Sequence, residues 1–327
     1  MQRVTKAAWR VALYAAAMAV CGPSFAQQFP AKPLRWIVPL AAGGPIDLQT
    51  RAFAAELAAG FGQPVVVDNR AGAANIVGTE IAAKSAPDGY TLLSAPAGVL
   101  VFTKFLYRTL PYDPQRDFAP VGFLSNTVMG VFVHESVPVK SLQELVTYAK
   151  ANPGKLTYGS SGVGQLFHLA TAMLLRQTGT EMVHIPFKGA GQFIPELMAG
   201  RIDMIVFPPI SQLLNQVKVG RLRVLAMATD QRYAALPDVP TFTESGIKNF
   251  TFPGWAAVVV PRGTPSPIIA RLNLELTKAT TAPGVKRVLA ENASIPMKAT
   301  AEEAARIIDN DIRTWGQIIP SLGIKPD

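Results

Sequence analysis

The apolar positions in the first third of the chain follow two different periods. Short continuous apolar runs predict buried strands, and longer segments with apolar residues on one face predict helices. The predicted elements are, in order, strand, helix, strand, helix and strand, at residues 35–40, 45–61, 65–68, from 74 onward, and 90–95. This β-α-β-α-β order is typical of a parallel sheet with right-handed crossovers.

A second series of the same kind follows the proline-punctuated stretch 110–120. Ser141 and Glu144 have the spacing of a capping box, in which the hydroxyl accepts from an early helix amide and the carboxylate accepts from the cap amide. We expect this helix to run to about Ala151 and to end at Asn152. Four further strands, separated by helices, are predicted at residues 155–158, 183–187, 203–207 and 223–228. The chain is therefore expected to form two α/β layers of similar size.

The C-terminal pattern predicts an apolar strand followed by two helices. The strand spans 255–260, and Pro267 suits the first turn of the helix that begins at Ser266. Thr300 and Glu303 form another capping box at the start of the last helix. That helix carries an apolar stripe made of Ala304, Ile307, Ile308, Ile312 and Trp315. We expect the terminal helices to cover the first α/β layer.

Residues 1–26 are typical of a secretory signal peptide. The positive start consists of Arg3, Lys6 and Arg10. It is followed by an apolar stretch at 11–20, about half of the roughly 20 residues that span a bilayer. Small residues flank Phe25, so we expect cleavage after Ala26. Cleavage would also remove Cys21, the only cysteine, and leave no disulfide and no Cys-ligated metal. A lipid-anchored start at Cys21 is the competing interpretation.

The composition indicates a globular protein. Of the 327 residues, 49% are hydrophobic and 16% are charged, which argues against intrinsic disorder. The formal net charge is +9, but the basic residues are scattered and form no basic run. Scattered charge gives little support to nucleic-acid binding, so we expect no nucleic-acid partner.

The turn between the first predicted strand and helix contains two adjacent glycines, Gly43 and Gly44. Glycine tolerates positive φ and places no Cβ between the backbone and a ligand. The helix that follows presents unpaired amides and the positive end of its dipole. Such a turn suits an anion, although a single turn of this kind is equally compatible with a tight turn that binds nothing.

Three further glycine-containing turns follow predicted strands, at residues 69–75, 159–164 and 188–191. In open parallel sheets, ligands bind beyond the carboxyl ends of the strands, where all these turns fall. Donor turns from both layers therefore predict a cleft between them. Backbone amides suit a small, stable carboxylate, and no catalytic group is needed to hold it.

Nucleotide and metal motifs are missing from the sequence. No G-x-x-x-x-G-K-[ST] occurs, and the glycine run that ends at Gly164 does not complete G-x-G-x-x-G. The three histidines, His134, His168 and His184, are not arranged as H-E-x-x-H. We therefore expect neither a metal site nor a cofactor.

Ser160 or Ser161 together with His168 is the one combination that suits a hydrolase. The G-x-S-x-G elbow is incomplete, however, because position 163 is Val. His168 falls in the first turn of a predicted helix, where the dipole disfavours its protonation. We interpret His168 first as a packing residue, with contact to ligand as the alternative. Asp47 is interpreted as a structural residue that caps the amides of its own helix.

Five segments resemble, in order, segments of the Bug family, the extracytoplasmic solute receptors of tripartite tricarboxylate transporters. They include RWIVPLAAGGPIDLQTR near the start of the mature chain and YGSSGVGQLFHLA in the second layer. The five segments are 35–51, 68–78, 158–170, 184–191 and 236–246. Together they extend over essentially the whole mature chain, and five segments in order are far more specific than one pair of glycines.

The resemblance implies an α/β fold of the two-lobed periplasmic binding protein type (type II-like), in which each lobe is a mostly parallel sheet flanked by helices. The first lobe would contain residues 27–127 and 251–327, and the second lobe 128–250. Hinges are expected near 126–133 and 250–258. The two lobes would close over a small organic acid.

The resemblance assigns ligand contacts to turns of both lobes. In the first lobe the residues are Leu40, Ala41, Ala42, Gly43, Gly44, Gly72, Ala73, Ala74 and Asn75. In the second lobe they are Ser160, Ser161, Gly162, Gly164, His168, Gly189 and Ala190. The sequence departs from the family pattern at Leu40, Ala42, Ala73, Ala74 and the stretch Phe207-Pro208-Pro209. The identity of the ligand therefore does not follow from any relative.

We therefore expect a periplasmic receptor that binds a small organic carboxylate, namely a dicarboxylate, an amino acid or an aromatic acid, and that catalyses no reaction. It is expected to be a monomer that serves the membrane subunits of a tripartite tricarboxylate-type transporter. Two alternatives stay open. The same binding module would serve a sensor kinase, or the chain would be a secreted hydrolase that uses Ser161 and His168.

Overall fold

The computed structural model describes residues 29–248, 250 and 252–324. The predicted signal peptide, its cleavage site after Ala26, and Cys21 lie outside these residues. The described chain is an α/β protein with two mixed sheets flanked by helices, and this confirms the predicted fold class.

Strands and helices alternate along most of the described chain. The strands are β1 (Leu34–Val38), β2 (Val65–Asn69), β3 (Thr91–Pro96), β4 (Phe118–Thr127), β5 (Gly130–His134), β6 (Thr157–Ser160), β7 (Val183–Pro186), β8 (Met204–Phe207), β9 (Leu222–Met227), β10 (Trp255–Pro261) and β11 (Ser294–Pro296). The helices are α1 (Pro45–Phe61), α2 (Ile76–Ala83), α3 (Thr103–Leu106), α4 (Leu142–Ala151), α5 (Leu166–Thr178), α6 (Ala190–Met198), α7 (Ser211–Lys218), α8 (Ser266–Ala279), α9 (Pro283–Glu291) and α10 (Ala301–Ser321). A 3-10 turn at Ala73–Asn75 precedes α2, and a π-helical turn at Gly98–Phe102 precedes α3.

The first sheet has the strand order β11-β4-β10-β3-β1-β2. β1 is parallel to both β2 and β3, as the β-α-β-α-β pattern predicts, whereas β10 runs antiparallel to β3 and β4. β1 ends at Val38, two residues before the predicted end, and the next residue, Pro39, has no amide hydrogen to donate to a ladder. We call this sheet with α1–α3 and α8–α10 the first lobe.

The second sheet has the order β7-β6-β8-β5-β9. β6 is parallel to β7 and β8, and β5 is antiparallel to β8 and β9. In each sheet, four of the described strands therefore run in one direction. The reversed strands include β5 and β10, through which the chain enters one sheet from the other. We call this sheet with α4–α7 the second lobe.

Hydrophobic cores cover both faces of each sheet. Side chains alternate between faces along a strand, so Trp36 belongs to one core of the first lobe and Ile37 to the other. In the second lobe, Phe132 packs into the core on one face of the sheet and Val133 into the core on the other face. The predicted stripe of α10 packs into the first lobe, and its buried members are Ala304, Ile308, Ile312 and Trp315. Ile319, one turn further on, is also buried. Ile307, which belongs to the predicted stripe, is only partly buried.

The sequence pattern does not predict β4, β5, β11 or α9. β4 begins inside the stretch whose prolines indicated a loop, and Pro120 pairs with Val259 beside an irregularity of the ladder. A proline is tolerated at such a bulge because its missing amide has no partner to lose. The link from β4 to β5 is only two residues long, Val128 and Met129, and both are buried.

Membrane-spanning character is missing from the helices of the described chain. None of them combines the length and the apolar content that crossing a bilayer requires.

Candidate functional site

A cavity of about 400 Å³ lies between the two lobes. Its walls come from the turns that follow β1, β2 and β3 in the first lobe and β6, β7 and β8 in the second. The carboxyl ends of parallel strands are where open α/β sheets bind their ligands. The cavity is therefore the candidate site.

The cavity wall is mostly apolar and carries no charged side chain among the described residues. The first lobe contributes Leu40, Gly44, Pro45, Ile46, Asn75, Pro96, Ala97, Gly98, Phe102, Thr103, Leu106, Tyr107, Thr127, Trp255 and Asn292. The second lobe contributes Ser161, Gly164, Gln165, Leu166, Phe167, Ala190, Phe207, Pro208 and Ile210. Pro253 and Gly254, just before β10, complete the wall.

The predicted site residues divide into two groups. Six line the cavity, namely Leu40, Gly44, Asn75, Ser161, Gly164 and Ala190. Others lie in the same turns or in the elements that flank them and do not form part of the wall, namely Ala41, Ala42, Gly43, Gly72, Ala73, Ser160, Gly162, His168 and Gly189. Ala74 belongs to the 3-10 turn Ala73–Asn75. The predicted turns thus meet at one cavity, but only part of each turn faces it.

Three of the glycine amides expected to face a ligand instead donate within the protein. The Gly43 amide donates to Asp47 Oδ2 at 2.8 Å. The Gly162 amide donates to Ser160 Oγ at 3.2 Å, and the Gly164 amide donates to His168 Nδ1 at 2.9 Å. These three amides are therefore already engaged within the protein. The role of these bonds is to fix the shape of the turns.

Asp47 holds the turn after β1 rather than the helix that contains it. Its carboxylate accepts from the Gly43 amide, from Arg51 Nε at 3.0 Å and from Asn69 Nδ2 at 2.9 Å, and it caps no amide of α1. Burial of the carboxyl opposes ionisation, but these hydrogen bonds outweigh it and hold the pKa of Asp47 below its ordinary value. Asn69 also donates to the Leu40 carbonyl at 3.2 Å, so the network supports a residue of the cavity wall.

Helix starts bring amide donors to the cavity from both lobes. At α1, Pro45 has no amide hydrogen, and the Ile46 amide has no partner among the described residues. At α5, the amides of Leu166 and Phe167 are likewise without a partner within the described chain. Unpaired amides and the positive dipole end make such helix starts suitable for an anion. A carboxylate between the lobes would meet these donors.

His168, which is buried, and His184, which is partly buried, stack on each other beneath the turn after β6. Their rings lie parallel with centroids 3.9 Å apart, and Tyr158 stacks on His184 at 4.8 Å. Burial lowers the pKa of each histidine to about 4, and for His168 the neighbouring His184 contributes in the same direction. Both rings are therefore neutral near pH 7.

The hydrolase alternative requires Ser161 and His168 to act together. His168 Nδ1 instead accepts from the Gly164 amide, and Ser161 lines the cavity. The serine that does contact a histidine is Ser160, whose Oγ lies 2.7 Å from His184 Nε2. Ser160 is fully buried and does not line the cavity. Among the described residues, no serine–histidine pair lies at the cavity wall.

The turn after β3 supplies a part of the wall that the sequence did not predict. Pro96 is the last residue of β3, Ala97 and Gly98 follow it, and Phe102 and Leu106 extend the apolar surface. Gly98, three residues after the predicted strand 90–95, was the available signal, because glycines near strand ends also indicated the other turns. Trp255 also lines the cavity, and its Nε1 donates away from it to Asp311 Oδ2 at 2.7 Å.

Within the described part of the chain, no group of three or more His, Cys, Asp or Glu side chains is placed to hold a metal ion.

Comparison with known proteins relates the chain to one family. The model of the family described as "Tripartite tricarboxylate transporter family receptor" matches residues 49–324. Protein BugT of Bordetella pertussis is 32% identical over 318 residues, which cover 96% of this chain and 97% of BugT.

Two solved structures are similar to the whole described fold. Rpa4515 of R. palustris, solved with adipate, has 30% sequence identity and a TM-score of 0.77, and the match covers 91% of this chain and 100% of that chain. MatC (Rpa3494) from Rhodopseudomonas palustris, solved with bound malate, has 28% identity and a TM-score of 0.73, with 89% and 100% covered. Both ligands are carboxylates.

Proposed function

Since the chain belongs to the tripartite tricarboxylate transporter receptor family, we propose that it captures a small organic carboxylate in the cavity between its lobes and delivers it to the membrane subunits of a transporter. The observation that carries this proposal is the cavity itself. It lies at the carboxyl ends of strands from both lobes, and helix starts with unpaired amides surround it. Two related receptors were solved with the carboxylates adipate and malate.

Main-chain groups would hold the carboxylate without a cationic side chain. The Ile46 amide at the start of α1 and the Leu166 and Phe167 amides at the start of α5 approach the cavity from opposite lobes. Hydrogen bonds to a charged group contribute roughly 1.5–3 kcal/mol each. Asn75 and Ser161 add side chains that can bond to the ligand. The remaining predicted site residues would support the turns from behind.

Binding without reaction is the activity that we propose. A hydrolytic nucleophile needs a base within hydrogen-bond reach, at a position that the substrate can enter. Ser160 and His184 meet the first condition, but Ser160 is fully buried away from the cavity. This arrangement favours a receptor over an enzyme.

Export and lobe movement complete the proposed cycle. The signal peptide would be cleaved after Ala26, and the mature chain would act in the periplasm. Its first lobe would consist of residues 27–127 and 251–327, and its second lobe of residues 128–250. The described chain passes between the sheets after Thr127 and returns before Trp255. These passages agree with the expected hinges near 126–133 and 250–258. Closure around the ligand would create the surface that the transporter recognises.

Thermal unfolding against a panel of organic acids tests the binding proposal. An acid at about 100 times its Kd should raise the free energy of unfolding by about 2.7 kcal/mol. Gly98→Leu should abolish this effect, because Gly98 lines the cavity and a Cβ there meets nothing within 4 Å. Gly284→Leu is the matched control, since Gly284 also has open space around it but lies outside the cavity wall. The receptor proposal fails if no acid shifts the transition of the wild-type protein.

Recovery of the membrane partner tests the transporter proposal. The purified receptor, saturated with an acid identified in the panel, would be incubated with solubilised membranes of its own organism, and captured proteins would be identified by mass spectrometry. Transporter subunits should be retained with the acid and lost without it. Ligand-dependent capture of a sensor kinase instead of transporter subunits would contradict the proposal.

A further inference from the structure

The turn after β8 differs from the other turns that surround the cavity. It runs Phe207-Pro208-Pro209-Ile210, and Phe207, Pro208 and Ile210 line the cavity. Neither proline has an amide hydrogen, and the Ile210 amide donates to the Pro208 carbonyl at 2.8 Å. This part of the wall therefore offers a ligand no hydrogen-bond donor from the three residues after the strand.

Three aromatic rings form and support this apolar wall. The Phe167 and Phe207 rings pack with their centroids 4.4 Å apart, and the fully buried Phe193 packs edge-on against Phe207 at 5.3 Å. Because Phe193 supports it from behind, Phe207 has little freedom to move away from a ligand. The wall is a preformed apolar surface in the second lobe.

The first lobe faces the cavity with a second apolar surface. Phe102 packs edge-on against Trp315 at 4.9 Å, and Leu106 follows it in α3. The Trp255 indole has its one donor engaged by Asp311. The Thr103 hydroxyl lies within hydrogen-bond distance of the Val99 carbonyl and of Tyr112 Oη. Trp255 and Thr103 thus direct their polar atoms into the protein and not toward the cavity.

Two kinds of charged group on a ligand would find no charged partner in this cavity. An ammonium group requires an anionic side chain or several carbonyl groups, and no Asp or Glu of the described chain lines the wall. A second carboxylate placed against the turn after β8 would lose its water and gain no donor there, which is unfavourable. A single carboxylate at the starts of α1 and α5 avoids both problems, because backbone amides can donate to it there.

We propose that the ligand is a monocarboxylate with an apolar, ring-sized body, and that Phe207 and Phe167 set this preference. The carboxylate is held at the starts of α1 and α5, and the body packs against the two phenylalanine rings. Amino acids bind weakly because their ammonium group has no anionic partner. Dicarboxylates bind weakly because their second carboxylate faces the turn after β8, which has no donor. The inference depends on the proposed receptor function.

Calorimetric titration of the full mature protein with matched acids tests this class. The pairs are benzoate with terephthalate and hexanoate with adipate, and phenylalanine represents amino acids. In each pair the monocarboxylate should bind at least tenfold more tightly than the dicarboxylate, and phenylalanine should bind more weakly than benzoate. Tighter binding of the dicarboxylates or of phenylalanine overturns the inference while leaving the receptor proposal intact. If no organic acid binds at all, the receptor proposal fails as well.

Phe207→Leu separates the role of the wall from general effects on folding. Loss of the aromatic contact should weaken benzoate binding roughly threefold to tenfold. Phe132→Leu is the matched control, because Phe132 is buried in the same hydrophobic core but does not line the cavity. That variant should keep wild-type affinity for benzoate. Equal affinity of both variants for benzoate would overturn the assignment of Phe207.

Discussion

At the scale of residues, buried polar side chains shape the cavity without contacting it. Asp47 is 1% exposed and holds the Gly43 amide, and Gly43 itself has a φ of 80°, a left-handed conformation that glycine adopts without strain. His168 plays the corresponding part in the second lobe through the Gly164 amide. These residues position the turns from which the cavity wall is built.

The histidine stack makes the stability of the protein depend on pH. The pKa of His168 is about 4 in the folded protein, and the ordinary value of 6.5 applies when the chain is unfolded. Between these values the unfolded chain binds more protons, so the stability contributed by the neutral ring is complete above pH 6.5 and is lost as the pH falls toward 4. For His168 the loss amounts to roughly 3 kcal/mol.

Urea denaturation between pH 7.5 and pH 4 measures this dependence. His168→Gln should make it shallower, because the Gln carbonyl can accept from the Gly164 amide but does not titrate, while His184 keeps its own contribution. His134→Gln removes a histidine that lies outside the stack and should keep the wild-type dependence. If His168→Gln loses stability as steeply as the wild type, the stack does not cause the effect.

At the scale of elements, capping residues show how far local patterns determine helix starts. Thr300 and Glu303 form a complete capping box, in which the Thr300 hydroxyl accepts from the Glu303 amide and the Glu303 carboxylate accepts from the Thr300 amide. Ser141 caps α4 in the same way, but the Glu144 carboxylate accepts from the Lys140 amide instead of the Ser141 amide. Only one of the two predicted boxes is therefore complete.

Thr300→Ala should lower the free energy of unfolding by about 1 kcal/mol, since it removes the side-chain acceptor at the start of α10. The measurement is chemical denaturation at pH 7. Thr147→Ala is the matched control, because Thr147 is exposed in the interior of α4 and caps no helix start. A decrease of the same size in both variants would show that the cap is not responsible.

At the scale of the whole molecule, the two lobes touch each other beside the cavity. Leu106 belongs to α3 of the first lobe, and a Cβ built on Gly164 of the second lobe would lie 3.1 Å from its Cδ1. The contact joins residues that are far apart in sequence. It indicates that the space between the lobes is narrow at this point, as a closed arrangement requires.

Gly164→Ala should therefore weaken ligand binding, because the added methyl group prevents the lobes from approaching fully. Gly179→Ala is a control with the same backbone strain, since φ is 71° at Gly164 and 62° at Gly179, but a Cβ at Gly179 meets nothing within 4 Å. Both variants should lose about 1–2 kcal/mol of stability. Only Gly164→Ala should lose affinity, by several-fold in calorimetric titration, and unchanged affinity would contradict closure at this contact.

The sequence by itself determined those features that depend on neighbours along the chain. The bounds of α1 follow from Pro45 at its start and Gly62, in the left-handed conformation, just after its end. The parallel arrangement of β1, β2 and β3 follows from the alternation of strand and helix. The family follows from five motifs in order, and the matched family model confirms it. All of these signals are local or additive along the sequence.

Only the tertiary structure decided which groups face the cavity. Gly43, Gly162 and Gly164 occur in turns that suit an anion, but in the folded turns their amides donate to side chains two to four residues away. The cavity wall combines turns after six strands. β4 was not predicted because Pro120 argues against a strand, although the irregular ladder beside β10 accommodates it. The wall and the strand pairing depend on contacts between residues distant in sequence, and the glycine bonds depend on the folded shape of each turn; a hydrophobic pattern along the chain contains neither.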